Sequence, residues 1–286
     1  MTVQHQQQVK DWNGESGERW VVHQLWLDQM LGAFGAAAID AAQPAVGETI
    51  LDIGCGAGTT SFALAERVAE GHVTGVDISA QLIERAKERA GDQSNVRFLL
   101  ADASNADVPP AQFDLLYSRF GVMFFDDAAG AFTHLRRALK PSGRLAFICW
   151  RGANENDWVR LPMKAIKGLI PPVVPLPADA PGPFSFGDKG RVQKILEDAG
   201  FVDVTFTPFD HDIIYGRGET NEAAIEDALA MAFELGPLSR ALASESEEVR
   251  ERACDAVRAA YAQQVQDGRV TINGAAWIVT ALNPAD

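Results

Sequence analysis

The residues best placed to do chemistry lie in Thr49 to Gly58, TILDIGCGAG, where a run of β-formers reaches Asp52 and Ile53 and a glycine-rich turn follows. Next comes TTSFALAERVAE, with Phe62, Ala65 and Val68 at helical spacing. A strand, a tight turn and a helix N-terminus form a cradle for a nucleotide-like ligand. Gly54, Gly56 and Gly58 read G-x-G-x-G, and Thr59 stands where a dinucleotide-binding turn has its third glycine. Asp52 sits two residues before the first glycine. A carboxylate there repels a pyrophosphate and suits a ligand with an ammonium group. A charged hydrogen bond of that kind contributes roughly 1.5–3 kcal/mol, against about 0.3–1 kcal/mol for a helix dipole. The expected ligand is therefore cationic at this end.

Asp77 closes the next strand, HVTGVD, 19 residues after Gly58. This is close to the offset at which an acidic residue meets a ribose diol in nucleotide folds, since one carboxylate accepts from both hydroxyls. Ile78, just beyond, offers an apolar face to a planar ring. Ser79 reads as the N-cap of a helix carrying Leu82, Ala86 and Ala90 on one face.

The elements that must hold these residues follow an alternating pattern. Before the first strand, Met1 to Lys10 reads as a frayed polar segment, and Asn13-Gly14 and Ser16-Gly17 mark turns. Trp20, Leu27 and Leu31 then give a helical stripe, which packs on the core or closes over the pocket with Trp20, His23 and Trp26. Asn95 to Leu100 is a third strand and FDLLYS a fourth. A helix from Asp126 through Leu139 and the strand RLAFICW follow. Strands alternating with helices give a parallel sheet with right-handed crossovers. Beyond Trp150, a helix and the proline-rich PPVVPLPADAPGPFSF read as an ordered covering segment. Gly187 to Ala199 is a helix, FVDVTFTPF a sixth strand, Glu219 to Gln266 mostly helical, and RVTINGAAWIVTALNP a final strand.

D-x-G-x-G-x-G after a strand resembles the first motif of the class I S-adenosylmethionine-dependent methyltransferases, and LKPSGRL resembles the family's turn into its fifth strand. The likeness covers roughly residues 49–150 and is close to the ubiquinone/menaquinone-biosynthesis-like, small-molecule branch. It implies an α/β, Rossmann-like sheet of seven mostly parallel strands with an antiparallel last strand, helices on both faces and helical lid insertions. The implied organisation is one domain. Residues 1–46 cap a cofactor core at 47–150, 151–186 and 217–269 are insertions, and 187–216 and 270–286 complete the sheet. The implied cofactor is S-adenosyl-L-methionine, with S-adenosyl-L-homocysteine as product. By that resemblance Asp102 accepts from the adenine amino group, or serves simply as an N-cap, while the backbone near Ala103 reads the ring. Asp52, Gly54, Cys55, Gly56, Gly58, Asp77, Ile78, Ser118 and Trp20 complete the expected cofactor set.

Ligands of open α/β sheets bind beyond the carboxyl ends of the strands. Arg119, Phe120, Met123, Phe124 and Trp150 are thus expected at the acceptor, although the Phe and Met residues equally suit core packing. Methyl transfer needs chiefly positioning and a water-poor pocket. No general base is assigned; His23 is the best placed candidate and His211 a weaker one, while His5, His72 and His134 read as structural or solvated. Cys55 reads as a small loop residue rather than a reactive thiol.

Composition narrows the partners. Lys plus Arg number 25 against 39 Asp plus Glu, a formal net charge of −14, which disfavours nucleic acid. The three cysteines are far apart, and no His/Asp/Glu cluster has metal-ligand spacing, so no metal is expected. Neither a signal peptide nor a membrane span is evident, and the chain reads as cytoplasmic. The expectation is a monomer or homodimer that methylates an O, N or C atom of a small organic acceptor. The alternatives are a methyltransferase of protein or RNA and a non-catalytic S-adenosylmethionine-binding protein; a nicotinamide dehydrogenase is disfavoured by Asp52 and the missing glycine.

Overall fold

The computed structural model describes residues 3–172, 177 and 180–285. Its sheet grows outward from β1 (Thr49–Ile53), whose burial on both faces explains Ile50, Leu51 and Ile53 and encloses Asp52 among them. α4 (Thr59–Val68) leads to β2 (His72–Asp77), and α5 (Ala80–Ala90) leads to β3 (Val96–Leu100) at the edge. β1 pairs in parallel with β2 on one side and with β4 (Phe113–Arg119) on the other. The strand order is β3-β2-β1-β4-β5-β8-β6, with β5 (Leu139–Trp150), β6 (Val202–Arg217) and β8 (Arg269–Leu282). β5 runs parallel to β4 and antiparallel to β8, so the mostly parallel sheet has the antiparallel final strand that the sequence implies. An additional two-residue strand, β7 (Val265–Gln266), pairs with β8.

The chain divides into two compact units. The first comprises Met1–Trp150, Asp179–Phe209 and Ala276–Asp286, and the second Arg151–Ala178 and Asp210–Ala275. In the first unit, α3 (Gln24–Ala42) buries Leu27, Leu31, Phe34 and Ile39 and packs on β5. α6 (Ala128–Arg136) packs on α8 (Lys189–Asp198). A sector of Phe132, Phe147 and Phe186, each almost wholly buried, fills the adjoining core. In the second unit, α7 (Asp157–Ala165) and α9 (Asn221–Glu234) pack on α11 (Glu247–Tyr261), and α10 (Pro237–Ala241) touches both α7 and α9. Buried Asn156 ties this unit together: its carboxamide oxygen accepts from the N–H of Ala275 at 2.9 Å while its NH2 donates to the Ala275 carbonyl at 3.1 Å.

Several boundaries differ from the sequence reading. The N-terminal segment expected to be frayed is a helix, α1 (Val3–Trp12), followed by α2 (Glu15–Val22). The helix expected through Leu139 stops at Arg136, and β5 begins at Leu139, where it pairs with Phe113 ahead of a register shift. Strand six continues to Arg217 rather than ending near Phe209. Of the proline-rich covering segment, residues 173–176 and 178–179 lie outside the described residues. Its later part is anchored in the first unit, where the N–H of Gly182 and the hydroxyl of Ser185 both donate to the Met123 carbonyl. Among the described residues, no helix is long and apolar enough to cross a membrane.

Candidate active site

The turn after β1 is built by its backbone. The N–H groups of Gly54 and Cys55 both reach the Val76 carbonyl, at 2.8 and 3.1 Å, which folds the turn back over the end of β2. Gly54 has φ +66°, and a Cβ on it would stand 2.8 Å from the Cα of Gly121, so the β1 and β4 loops touch only because both positions are glycine. Gly56 has φ +54° with open space where a Cβ would be, and its N–H donates to Asp77 Oδ2 at 2.8 Å. Asp77 Oδ1 accepts from the Ser79 N–H at 2.9 Å. One carboxylate therefore links the glycine turn to the start of α5, where Ser79 caps as expected. A carboxylate has about four acceptor sites, so Asp77 keeps capacity for a further donor. Burial pushes the Asp77 carboxyl upward, opposed by these backbone donors.

Asp52 sits deeper than its position at a strand end implies. It is fully buried, and its Oδ2 accepts from the hydroxyls of Thr60 at 2.8 Å and Ser61 at 2.6 Å, which fastens β1 to the first turn of α4. Its other oxygen, Oδ1, is buried without a hydrogen-bond partner. Burial pushes its carboxyl up to about 6, while the two hydroxyls and the positive charge of Arg119 pull the other way.

A cleft of about 850 Å³ opens over these strand ends, within the first unit. Of the expected cofactor residues, Trp20, Gly54, Gly56, Asp77, Ile78, Asp102 and Ala103 line it, and of the expected acceptor residues, Arg119, Phe120 and Phe124 do. The others take different places. Cys55 faces a smaller neighbouring cavity of about 400 Å³, and its thiol is pushed well up by burial and by the charges of Asp77 and Asp52. It packs with Ile83, Ala86 and Phe98, so it is a core residue and no nucleophile. Gly58 caps α4 with φ +86°. Ser118 is buried, its hydroxyl donating to the Ile53 carbonyl at 2.7 Å and accepting from Gly121 N–H at 3.2 Å, so it joins the β1 and β4 ends from beneath. Met123 and Trp150 are buried and do not line the cleft. Phe120, with φ +60°, stacks on Trp150 at 4.2 Å between ring centroids, so Trp150 lies behind Phe120 rather than on the cleft wall. His23, at the junction of α2 and α3, is not among the lining residues.

α1 supplies a wall that the sequence reading did not foresee. His5, Gln8 and Trp12 line the cleft. Trp12 meets Trp20 and Phe124 edge-on, each at 5.5 Å. His5 Nε2 lies 3.1 Å from Asp102 Oδ2. Asp102 also accepts from the N–H and hydroxyl of Ser104 and from the amide of Asn105, so it organises its own loop besides facing the cleft. The signal was present: residues 5, 8 and 12 share one helical face, although it reads as polar.

Residues 50–143 match a methyltransferase domain. Aklanonic acid methyltransferase DauC of Streptomyces sp. (strain C5) is 37% identical over 116 residues, which cover 40% of this chain and 53% of that relative, so the match spans about half of the relative's length. Demethylmenaquinone methyltransferase of Staphylococcus aureus is 27% identical over 65% of this chain and 78% of its own. Among solved structures, the YcgJ protein of Bacillus subtilis superposes with a TM-score of 0.58 at 17% identity, covering 88% of this chain and 98% of its own, a likeness of fold. These matches liken residues 50–143 to a methyltransferase domain, and the strand order and glycine cradle agree with that likeness.

Proposed function

We propose that this protein transfers a methyl group from S-adenosylmethionine to an O, N or C atom of a small organic acceptor. The observation that carries the reading is the juxtaposition, in one cleft, of a polar half at the ends of β1–β3 and an aromatic wall after β4. The polar half fits the cofactor. Asp77 has lone pairs for a ribose diol, and Ile78 and Ala103 offer apolar surface to a base. Gly56 leaves room for close approach to the backbone, and the unpartnered Oδ1 of Asp52 supplies negative charge near the turn.

When bound, the sulfonium cofactor supplies an electrophilic methyl group and a neutral thioether leaving group. The chain's part is to position the reactants and exclude water, the source of large effective molarities. Phe120, Phe124 and Trp12 provide apolar surface, and aromatic faces attract a cationic methyl group. An acceptor carrying a hydroxyl or C–H must lose a proton, and no base is assigned to that step. Among the larger cleft's lining residues Arg119 is the one arginine or lysine, beside Asp77, Asp102 and Asp126, which argues against a nucleic-acid acceptor. The related enzymes' names speak of aklanonic acid and demethylmenaquinone, consistent with a compact organic acceptor here.

The test is radiolabelled methyl transfer from S-adenosylmethionine into a fractionated cell extract. Label in the small-molecule fraction is expected. Label confined to protein or RNA refutes the acceptor class, and binding of S-adenosylhomocysteine without any transfer favours a non-catalytic role.

A further inference from the structure

The aromatic half of the cleft offers a negative charge but no histidine, lysine or tyrosine to act as base. Among the described residues that line the whole cleft there is no lysine, tyrosine or cysteine, and the one histidine, His5, meets Asp102 at 3.1 Å. Seven residues of α1 separate His5 from Trp12, where the aromatic wall begins, a rise of about 10 Å along the helix. The wall does carry a carboxylate: Asp126 lines the cleft two residues after Phe124. Its neighbour Asp127 caps α6, accepting from the Gly130 N–H at 3.0 Å. Asp126 thus stands before a helix N-terminus that another residue caps, a position that favours negative charge. The one arginine of the lining is directed elsewhere. Arg119 Cδ would stand 3.1 Å from a Cβ on Gly35 of α3, its guanidinium lies 4.0 Å from Asp28, and its charge acts on buried Asp52.

We propose that the acceptor is a small organic amine, held by Asp126 against Trp12 and Phe124 and methylated at nitrogen. The inference rests on the methyl-transfer reading above and narrows its acceptor to one class. The amine enters as a cation paired with Asp126 and gives up one proton to water. Its nitrogen lone pair then forms the N–C bond while the C–S bond breaks and leaves its electron pair on sulfur. Positive charge moves from sulfur to nitrogen, and the product is again an ammonium ion. A carboxylate and aromatic faces favour positive charge at both ends of that shift, so no base on the protein has to act during the transfer. A hydroxyl or C–H acceptor, by contrast, must hand its proton to a base as it reacts. An acceptor that carries an anion would meet Asp126 and the negative faces of the rings.

The experiment supplies S-adenosylmethionine with a trideuterated methyl group and a small-molecule cell extract, and locates the label in the product by mass-spectrometric fragmentation. Label on nitrogen is expected. Label on oxygen or carbon overturns the proposal while the methyl-transfer reading stands. No transfer into any small molecule, with S-adenosylhomocysteine still bound, removes that reading and the proposal with it, so the two failures are told apart. With the labelled amine as substrate, Asp126→Asn is expected to raise KM about ten- to a hundredfold and to leave S-adenosylhomocysteine affinity within about twofold. Asp126→Glu, which keeps the charge, loses less. An unchanged KM in the asparagine variant, or an equal loss of S-adenosylhomocysteine affinity, overturns the assignment of Asp126. Thermal melting identifies variants that stay folded, and Asp126→Ala substitutes if the asparagine variant does not.

Discussion

The two halves of the cleft are built by different means. On the side proposed for the cofactor, Asp52 is fixed by the hydroxyls of the first turn of α4 and Asp77 by the N–H groups of Gly56 and Ser79, at 2.6–2.9 Å. On the side proposed for the acceptor, Trp12, Phe120 and Phe124 meet neighbouring rings edge-on or face to face, with centroids 4.2–5.5 Å apart. Hydrogen-bonded carboxylates specify one geometry and penalise any ligand that leaves them unmet. Aromatic contacts reward area and tolerate exchange of shape. On the proposed function, a cleft so divided holds one cofactor strictly and leaves its acceptor adjustable by a few substitutions.

That contrast can be broken at its strict end first. Asp52 has its folded-state carboxyl raised to about 6 from an ordinary 3.8, so its protonated form is favoured on folding. The associated stability is present below pH 3.8 and lost as pH rises through 6. Asp52→Asn is therefore expected to melt higher than the native protein at pH 8, by up to ~3 kcal/mol, with the gap closing toward pH 4. A pH-independent gap between the melting curves would show that burial of the charge is not its origin. Asp77→Ala comes next, weakening S-adenosylhomocysteine tenfold or more, on the order of 1.4 kcal/mol. Unchanged affinity in a folded variant would remove Asp77 from the ribose. The adjustable end should respond least: Phe124→Ala is expected to alter acceptor KM by roughly threefold while cofactor affinity stays the same. A matching loss in cofactor binding would erase the distinction between the halves.

The same contrast decides what could be read from the sequence. The glycine turn, Asp77 and the Ser79 cap were legible because each obeys a local backbone rule at a fixed offset from a strand end. The parallel order was legible from alternation. The depth of Asp52 was not, since nothing local says whether a strand-end carboxylate turns toward ligand or toward the hydroxyls of Thr60 and Ser61. Met123 was misplaced because Phe120 takes a left-handed φ, unusual for a bulky residue, and redirects the chain after β4; Trp150, at the end of β5, was misplaced because it stacks behind Phe120, a layer that no local pattern reveals. α1 escaped because its inward face, His5, Gln8 and Trp12, is turned to a polar cleft rather than to a core, so hydrophobic periodicity had little to detect.

The docking of α1 has a kinetic consequence. Just past its end, Asn13 holds on through the Ile78 carbonyl at 3.0 Å and the Ala80 N–H at 2.9 Å, contacts that span 65 and 67 residues of chain. Such contacts form only after long loops have closed and the ends of β2 and α5 exist to receive them. The wall is thus expected among the last parts of the first unit to assemble and the first to open, and its amides should exchange with deuterium before those of β1. Slow exchange in α1 without ligand would mean instead that the cleft is finished early.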